Sequence, residues 1–186
     1  MSESKIIEQY KILGKIDEGG MGIVYKAINQ ETDEIVAIKT LKENVNSASE
    51  TFLRFKKEAE VLEKLDHPNI IKFINFIEKE SQLYIVTEFI EGVTLKELIH
   101  ESDLDIETKI EIIFQVADAL DYVHSQGIIH RDIKPSNIMI FKDHKAKILD
   151  FGVANLMNFQ KLFSAEGAIA GSFAYMSPEQ SGMLKR

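Results

Sequence analysis

The spacing of apolar residues divides the chain into strand-like segments followed by helix-like ones. Residues 10–16, 22–29 and 34–41 are rich in Ile, Val and Tyr and are separated by glycine-rich or polar breaks, a pattern that predicts an antiparallel meander. Residues 70–77 and 83–90 have the same strand-like character. The early part of the chain is therefore predicted to form a five-stranded antiparallel sheet.

Two helices are predicted beside and after these strands. Ser47 and Glu50 fit a capping box, and apolar residues then recur every three or four positions up to Leu65, as on one face of a helix. Asp105 is placed to cap a second helix that ends near Gly127. The apolar stripe of this second helix consists of Ile106, Ile110, Ile113, Ala117 and Leu120. Residues 128–150 are predicted to be short strands and loops.

Composition narrows the class of protein. The 186 residues are 45% apolar and 28% charged, which is enough apolar material for one domain or two small lobes. Cysteine is absent, so disulfides and thiolate metal sites are excluded. The net charge of -8 argues against nucleic acid bound on a basic face. No apolar run approaches the roughly 20 residues of a membrane span, and we expect a cytoplasmic protein without a membrane segment.

The first candidate site is a glycine-rich turn between two predicted strands, at residues 17–22. Gly19, Gly20 and Gly22 lack Cβ atoms, so backbone N–H groups there can approach phosphate closely. An ordinary hairpin turn explains the same glycines equally well.

The second candidate is a lysine that ends an apolar strand. Lys39 follows Val36-Ala37-Ile38, and Glu58 lies on the first predicted helix. An ion pair between them would hold a cation against phosphate oxygens. The alternative is a strand-end lysine that extends into solvent. Glu60 is the competing carboxylate, on another face of the helix.

The third candidate is the most specific. Residues 130–137 read His-Arg-Asp-Ile-Lys-Pro-Ser-Asn, which places a base, two cations and an amide within one short loop. Asp150 follows in an Asp-Phe-Gly sequence, where a carboxylate suited to Mg²⁺ stands near a glycine that lets the chain turn. A Ser-Pro-Glu sequence then begins at Ser177.

In this order and spacing, the motifs resemble those of the eukaryotic-type (Hanks-type) Ser/Thr protein kinases, and their wording is similar to the bacterial branch of that family. The resemblance covers the chain from about Tyr10 to its last residues. It implies an α+β, protein-kinase-like two-lobed fold. The N-lobe would be residues 10–90, with the five-stranded sheet and one helix, and residues 91–186 would be a partial helical C-lobe without the family's later helices.

The resemblance implies an enzyme that transfers the γ-phosphoryl group of ATP to Ser or Thr hydroxyls of a protein substrate. Asp132 would orient and deprotonate the substrate hydroxyl, and Lys134 would neutralise the transferring phosphate. Lys39, paired with Glu58, would hold the α- and β-phosphates. Mg²⁺ would be bound by Asn137 and Asp150.

The resemblance also implies the remaining contacts to ATP. These are Gly19, Gly20 and Gly22 over the phosphates, and Val24, Ala37, Thr87, Glu88, Ile90 and Met139 around the adenine. The family's apolar regulatory column would consist of Leu62, Phe73, His130 and Phe151. His130 is therefore expected to be structural and not a general base.

Regulation by phosphorylation is the further implication. In the family, an arginine at the position of Arg131 receives a phosphate on the activation segment. Ser164 is our candidate for that phosphosite, although it is equally well explained as a polar loop residue. Ser172 matches the position that usually contacts the catalytic Asp and Lys.

The chain departs from the family in two respects. Asp17 stands where the first glycine of the phosphate loop is expected, and its charge should weaken ATP binding by a free energy on the order of 1 kcal/mol. Without the family's later helices, the stripe from Ile106 to Leu120 is expected to be exposed, and the activity of this chain alone is open. The alternative is a catalytically silent kinase fragment that binds nucleotide or a partner. Further domains of a larger protein are expected downstream.

Overall fold

The structure, a computed structural model, describes residues 5–19, 22–42, 49–101, 103–151 and 174–178. The chain divides into two compact units. The first unit comprises Met1–His67 and Ile71–Glu91, and the second comprises Pro68–Ile70 and Gly92–Arg186. A three-residue segment of the second unit is thus flanked on both sides by first-unit sequence.

The first unit contains a six-stranded antiparallel sheet in the order β1-β2-β3-β4-β6-β5. Its strands are β1 (Ile6–Ile7), β2 (Tyr10–Glu18), β3 (Gly22–Asn29), β4 (Ile35–Leu41), β5 (Phe73–Lys79) and β6 (Gln82–Glu88). The prediction of five strands is therefore wrong by one. The additional strand is β1, which pairs only Ile6 with Lys11 and Ile7 with Tyr10 and is too short for an alternating pattern to reveal.

Helix α1 (Glu50–Leu62) packs on this sheet, in contact with β5 and β6. Its N-cap is Ser49, whose side-chain oxygen accepts the N–H of Phe52 at 3.2 Å. The predicted cap was Ser47, which lies outside the described residues. The sequence favours Ser47 because Glu50 stands three positions after it, whereas the third position after Ser49 is an apolar residue.

Buried residues of β2, β4 and β6 form part of the core of the sheet. Val36 and Ile38 of β4 and Val86 of β6 are all at most 1% exposed and cluster with Tyr10. The hairpin between β5 and β6 turns through Glu80 and Ser81, with φ of 52° and 64°. Two successive left-handed residues are typical of a type I′ turn, although neither is glycine.

Within the described residues, the second unit contains a small antiparallel sheet and two α-helices. Its elements are β7 (Val93–Thr94), α2 (Leu95–Glu101), α3 (Ile106–Ser125), β8 (Ile138–Phe141) and β9 (Lys145–Ile148), with the sheet order β7-β8-β9. Asp105 caps α3 as predicted, because its carboxylate accepts the N–H of Thr108 at 2.7 Å. The core of this unit is formed by Ile112, Ile138, Ile140 and Ala146.

The apolar stripe predicted for α3 does not face that core. The buried face of the helix carries Ile112, Ala119 and Val123, whereas Ile113 and Phe114 are 66% and 70% exposed. The predicted stripe is therefore exposed at its three isoleucines, as expected above. No helix among the described residues combines the length and the apolar character needed to cross a membrane.

The segment Pro68–Ile70 fixes strand β9. The Asn69 side-chain amide donates to Gln115 Oε1 at 3.0 Å and to the Ala146 carbonyl at 2.7 Å. Ile148 N–H donates to the Asn69 carbonyl at 2.8 Å, next to a parallel bridge between Ile70 and Ile148. Because Asp150 comes two residues after the end of β9, these bonds hold the chain that leads into the Asp-Phe-Gly sequence.

Candidate active site

The first group of candidate residues is an ion pair inside the first unit. Lys39 Nζ lies 2.7 Å from Glu58 Oε1, and the two side chains are 19% and 13% exposed. Lys39 sits in β4 between Val24 of β3 and Ile85 of β6, so both sides of its backbone are held. The competing carboxylate, Glu60, pairs with Lys57 instead. The strand and the helix thus present one partly buried cation beside one carboxylate.

Most of the residues expected around adenine in this unit lie on strands β3, β4 and β6. Ala37 pairs with Thr87 across β4 and β6. Glu88 is bound on two sides by Lys72, since its N–H donates to the Lys72 carbonyl at 3.0 Å and its carboxylate accepts the Lys72 N–H at 2.7 Å. Val24, Ala37, Thr87, Glu88 and Ile90 are all partly buried. Met139 belongs to β8 in the second unit.

The glycine-rich turn is described only in part. The N–H of Gly19 donates to the Gly22 carbonyl at 3.0 Å, which closes the turn, and Gly20 lies outside the described residues. A Cβ on Gly22 would lie 2.2 Å from the Thr40 carbonyl oxygen. Close strand packing therefore requires this glycine whether or not phosphate binds. The Asp17 carboxylate accepts the N–H of Glu18 at 2.8 Å.

The second group lies in the loop before β8. Lys134 Nζ is 2.7 Å from Asp132 Oδ2, with side-chain exposures of 21% and 28%. The Asn137 side-chain amide donates to the same oxygen at 2.9 Å and to the Asp132 carbonyl at 2.8 Å. A 3₁₀ turn over Pro135–Asn137 brings the asparagine back toward the aspartate, and the proline fixes the first φ of that turn. A carboxylate, a cation and an amide therefore converge within one short loop.

Asp150 is tied to this loop through the main chain. Leu149 N–H donates to the Asn137 carbonyl at 2.9 Å. The amide oxygen of Asn137 and the carboxylate of Asp150 are hard oxygen ligands of the kind that Mg²⁺ prefers. The described ranges contain no group of three or more His, Asp and Glu side chains that could hold a metal ion. Two protein ligands suit Mg²⁺, which usually completes its coordination with water and substrate phosphate.

His130 begins this loop and is 1% exposed. Its ring centroid is 4.6 Å from that of Phe151, and its Nδ1 accepts the N–H of Asp132 at 3.3 Å. Burial lowers the pKa of His130 from 6.5 to about 4, against the opposing charges of Asp132 and Asp150. The ring is therefore neutral at pH 7, as suits a structural histidine and not a general base.

Two structural features of the second unit have little or no signal in the sequence. Arg131 has φ of 67°, a conformation that no arginine signals in sequence. The sequence predicts no role for Asn69, although its side-chain amide donates hydrogen bonds to Gln115 of α3 and to Ala146 of β9. A polar residue just before a predicted strand was its only signal. The phosphosite candidates Ser164 and Ser172 lie outside the described residues.

A family model described as the protein kinase domain matches residues 10–183, nearly the whole chain. The chain belongs to the protein kinase family. The resemblance stated from its motifs is thereby confirmed.

The relatives are bacterial. The chain is 39% identical over 174 residues to a probable serine/threonine-protein kinase of Clostridium perfringens, covering 93% of this chain and 25% of that protein. It is also 39% identical over 178 residues to the probable serine/threonine-protein kinase PknB of Lactococcus lactis, covering 94% and 28%. The chain thus spans about a quarter of the length of the curated relatives it matches.

A solved structure supports the fold. The kinase domain of PknI from Mycobacterium tuberculosis matches with a TM-score of 0.69 and 27% identity, over 82% of this chain and 63% of that chain. The predicted α+β protein-kinase-like fold is confirmed, with six strands in place of five.

Proposed function

We propose that the chain is the catalytic part of a bacterial Ser/Thr protein kinase, which transfers the γ-phosphoryl group of ATP to a Ser or Thr hydroxyl of a protein. The single observation that carries this proposal is the contact of the Asp132 carboxylate with both Lys134 and Asn137. Such a cluster can accept a proton and stabilise phosphate charge at one place. A Lys-Pro-Ser-Asn loop is of the Ser/Thr type, which favours those hydroxyls over Tyr.

In the proposed reaction, the substrate hydroxyl oxygen forms a bond to the γ-phosphorus of ATP while the bond from that phosphorus to the β,γ-bridging oxygen breaks. Asp132 orients the hydroxyl and takes its proton, and ADP leaves with the electron pair of the broken bond. Lys134 offsets the negative charge on the transferred group. Because little covalent chemistry falls to the protein, correct positioning and charge account for most of the rate enhancement.

The other unit is proposed to hold the nucleotide. Lys39, kept in place by Glu58, would bind the α- and β-phosphates, and its low exposure supports a cation held in one position. The remaining proposed nucleotide contacts are Gly19, Gly20, Gly22, Val24, Ala37, Thr87, Glu88, Ile90 and Met139. Asn137 and Asp150 would hold Mg²⁺, which when bound neutralises phosphate charge.

The proposal also covers regulation by phosphorylation and cellular location. Ser164 remains the proposed activating phosphosite, with Arg131 as the receiving cation, and Ser172 is proposed to contact the catalytic residues. We place the reaction in the cytoplasm, where ATP is available, and expect additional domains in the whole protein.

The proposal is tested by the conservative variant Asp132→Asn. We expect it to lower the rate of phosphate transfer from Mg-ATP to a protein acceptor by about 100-fold or more. The asparagine side chain has nearly the size of aspartate but cannot take the proton of the substrate hydroxyl. Asp121→Asn is the matched control, since that carboxylate is exposed on α3. Equal activity of wild type and Asp132→Asn would refute the assigned role.

A second candidate is a catalytically silent module that binds nucleotide or a partner. The exposed apolar side chains of α3, with Phe114 at 70%, favour it, because a face of this kind is usually covered by protein. Tight binding of ATP by a folded wild-type chain that transfers no phosphate to any acceptor would support this alternative.

A further inference from the structure

A cation–π contact joins strand β3 to the segment that follows β6 in the first unit. Lys26 Nζ is 4.3 Å from the ring centroid of Phe89, and both side chains are partly buried. Lys26 belongs to β3. Phe89 comes directly after β6 and lies between Glu88 and Ile90, two of the proposed adenine contacts. The contact therefore reaches the segment that is proposed to bind the base.

The strand register explains how a lysine of β3 reaches Phe89. Lys26 pairs with Ala37 of β4, and Ala37 pairs with Thr87 of β6, so these three side chains share one face of the sheet. Neighbouring strands are about 4.8 Å apart, and the small methyl group of Ala37 leaves the lysine room to extend across β4. On its other side, Lys26 pairs with Gly14 of β2, which has no side chain to hold it there.

This face of the sheet is the one proposed to hold the nucleotide. Lys39 lies two positions after Ala37 in β4, so its side chain projects from the same face, where its ion pair with α1 lies. Val36 and Ile38, which alternate with these residues, are buried in the core cluster of the opposite face. Lys26 thus shares a face with Lys39, at the register of the proposed adenine contacts.

The main chain before Phe89 is fixed by a different neighbour. Glu88 is bound to Lys72 by two hydrogen bonds, of 3.0 and 2.7 Å. One residue later, Lys26 supplies a contact from the β3 side, because the negative face of the Phe89 ring attracts the ammonium group. A ring held in this way orients the main-chain groups on either side of it, at Glu88 and Ile90.

We propose that Lys26 is a positioning residue for adenine, which holds Phe89 through the cation–π contact and so fixes the main-chain groups of Glu88 and Ile90 for the base. The inference rests on the proposed function and deepens it, since it assigns part of the affinity for adenine to a residue that does not touch the nucleotide. A cation–π contact at a partly exposed site corresponds to a change in affinity of about two- to fivefold.

The first test measures the dissociation constants of adenosine and of Mg-ATP for the full chain by calorimetric titration. Lys26→Met removes the charge and keeps the length of the side chain, and Phe89→Leu removes the ring. We expect each variant to weaken the binding of both ligands by the same factor, about two- to fivefold, because both ligands carry adenine. Lys26→Arg and Phe89→Tyr keep the cation and the ring, and should bind both ligands as the wild type does.

Two other results overturn the inference. If Lys26 acts on the phosphates through its charge, Lys26→Met weakens the binding of Mg-ATP and leaves that of adenosine unchanged. If the contact contributes only to folding, Lys26→Met and Phe89→Leu lower the unfolding temperature and change neither dissociation constant.

Lys5→Met is the matched control, because Lys5 Nζ lies 5.9 Å from the ring centroid of Tyr25 in the same unit. This substitution removes a cation–π contact that does not involve the segment after β6. It should leave both dissociation constants unchanged, and a loss of adenosine affinity equal to that of Lys26→Met contradicts the proposal.

The second test is a double-mutant cycle on adenosine affinity. If the lysine acts through Phe89, the chain that carries both Lys26→Met and Phe89→Leu should bind adenosine no more weakly than either single variant. If the two losses multiply, the residues act independently, which contradicts the proposal.

Adenosine binding also separates this inference from the proposed function. A wild-type chain that binds adenosine but transfers no phosphate from Mg-ATP refutes the proposed reaction, and the double-mutant cycle still decides whether Lys26 acts through Phe89. A chain that transfers phosphate, and whose Lys26→Met and Phe89→Leu variants bind adenosine as the wild type does, refutes the inference alone. A wild-type chain that binds no adenosine overturns both.

Discussion

The two groups of candidate catalytic residues are built in different ways. Lys39 and Glu58 come from a strand and a helix, and their ion pair exists only because α1 packs on the sheet. Asp132, Lys134 and Asn137 lie in one loop, and a single proline-initiated turn brings them together. The first group depends on the core of its unit. The second depends on local backbone geometry and on what fixes the ends of the loop.

The difference concerns burial as well. The Lys39–Glu58 pair is 19% and 13% exposed, whereas the Asp132–Lys134 pair is 28% and 21% exposed. Less solvent strengthens the attraction within a pair and raises the cost of removing one partner. The loop obtains its order instead from His130, a buried group that carries no charge at pH 7.

Acid should lower the free energy of unfolding through His130, and this is the largest stability change that we predict. The pKa of His130 is lowered by burial from 6.5 to about 4, so between these pH values the unfolded chain binds a proton that the folded chain excludes. The free energy of unfolding therefore rises with pH in this window. The contribution of His130 is complete above about pH 6.5 and falls by about 3 kcal/mol as the pH drops to 4.

Denaturant unfolding at several pH values measures this effect. The pH slope between 6.5 and 4 should be shallower in His130→Phe, and His124→Phe, on the exposed last turn of α3, serves as the control. A slope that is the same in His130→Phe and wild type would show that the loss has another source.

The ion pair of the first unit should give the next largest effect. A double-mutant cycle with Lys39→Ala and Glu58→Ala is expected to yield a coupling free energy of about 1 to 2 kcal/mol, because the pair is largely shielded from water. The same cycle on Lys57 and Glu60, which are 53% and 58% exposed, should yield about 0.5 kcal/mol or less. Equal coupling free energies in both cycles would show that burial does not distinguish the two ion pairs.

The smallest predicted effect concerns the hairpin that carries β6. Ser81 has φ of 64°, so Ser81→Gly should raise the free energy of unfolding by about 0.5 kcal/mol, because glycine takes this conformation without strain. Lys79→Gly, within β5, is the control and should lower it. A destabilised Ser81→Gly would contradict the turn geometry.

Much of the fold and part of the candidate site could be predicted from the sequence. Alternating apolar residues located the longer strands, and Asp105 with the apolar residues after it located α3. The cluster of Asp132, Lys134 and Asn137 could be predicted because these residues are neighbours in sequence. The pairing of Lys39 with Glu58 was left open by spacing alone, since it depends on how a helix packs on a sheet.

The remainder depended on geometry that residue types do not encode. Ser47 and Ser49 are both good caps, and only packing decides that the helix starts after the second. Arg131 and Ser81 adopt left-handed backbones without being glycine. Ile110 and Ile112 are equally apolar, while only the second is buried, so residue types alone do not show which face of α3 packs within its unit.

The excursion of Pro68–Ile70 into the second unit has a consequence for dissecting the protein. Since the chain passes from one unit to the other at three places, after His67, after Ile70 and after Glu91, no single cut yields two whole halves. A piece that starts at Gly92 would leave the Ile148 N–H and the Ala146 carbonyl without Asn69. Split-protein reporters or separately expressed halves would therefore need residues 68–70 supplied twice, or a circular permutation that keeps them beside β9.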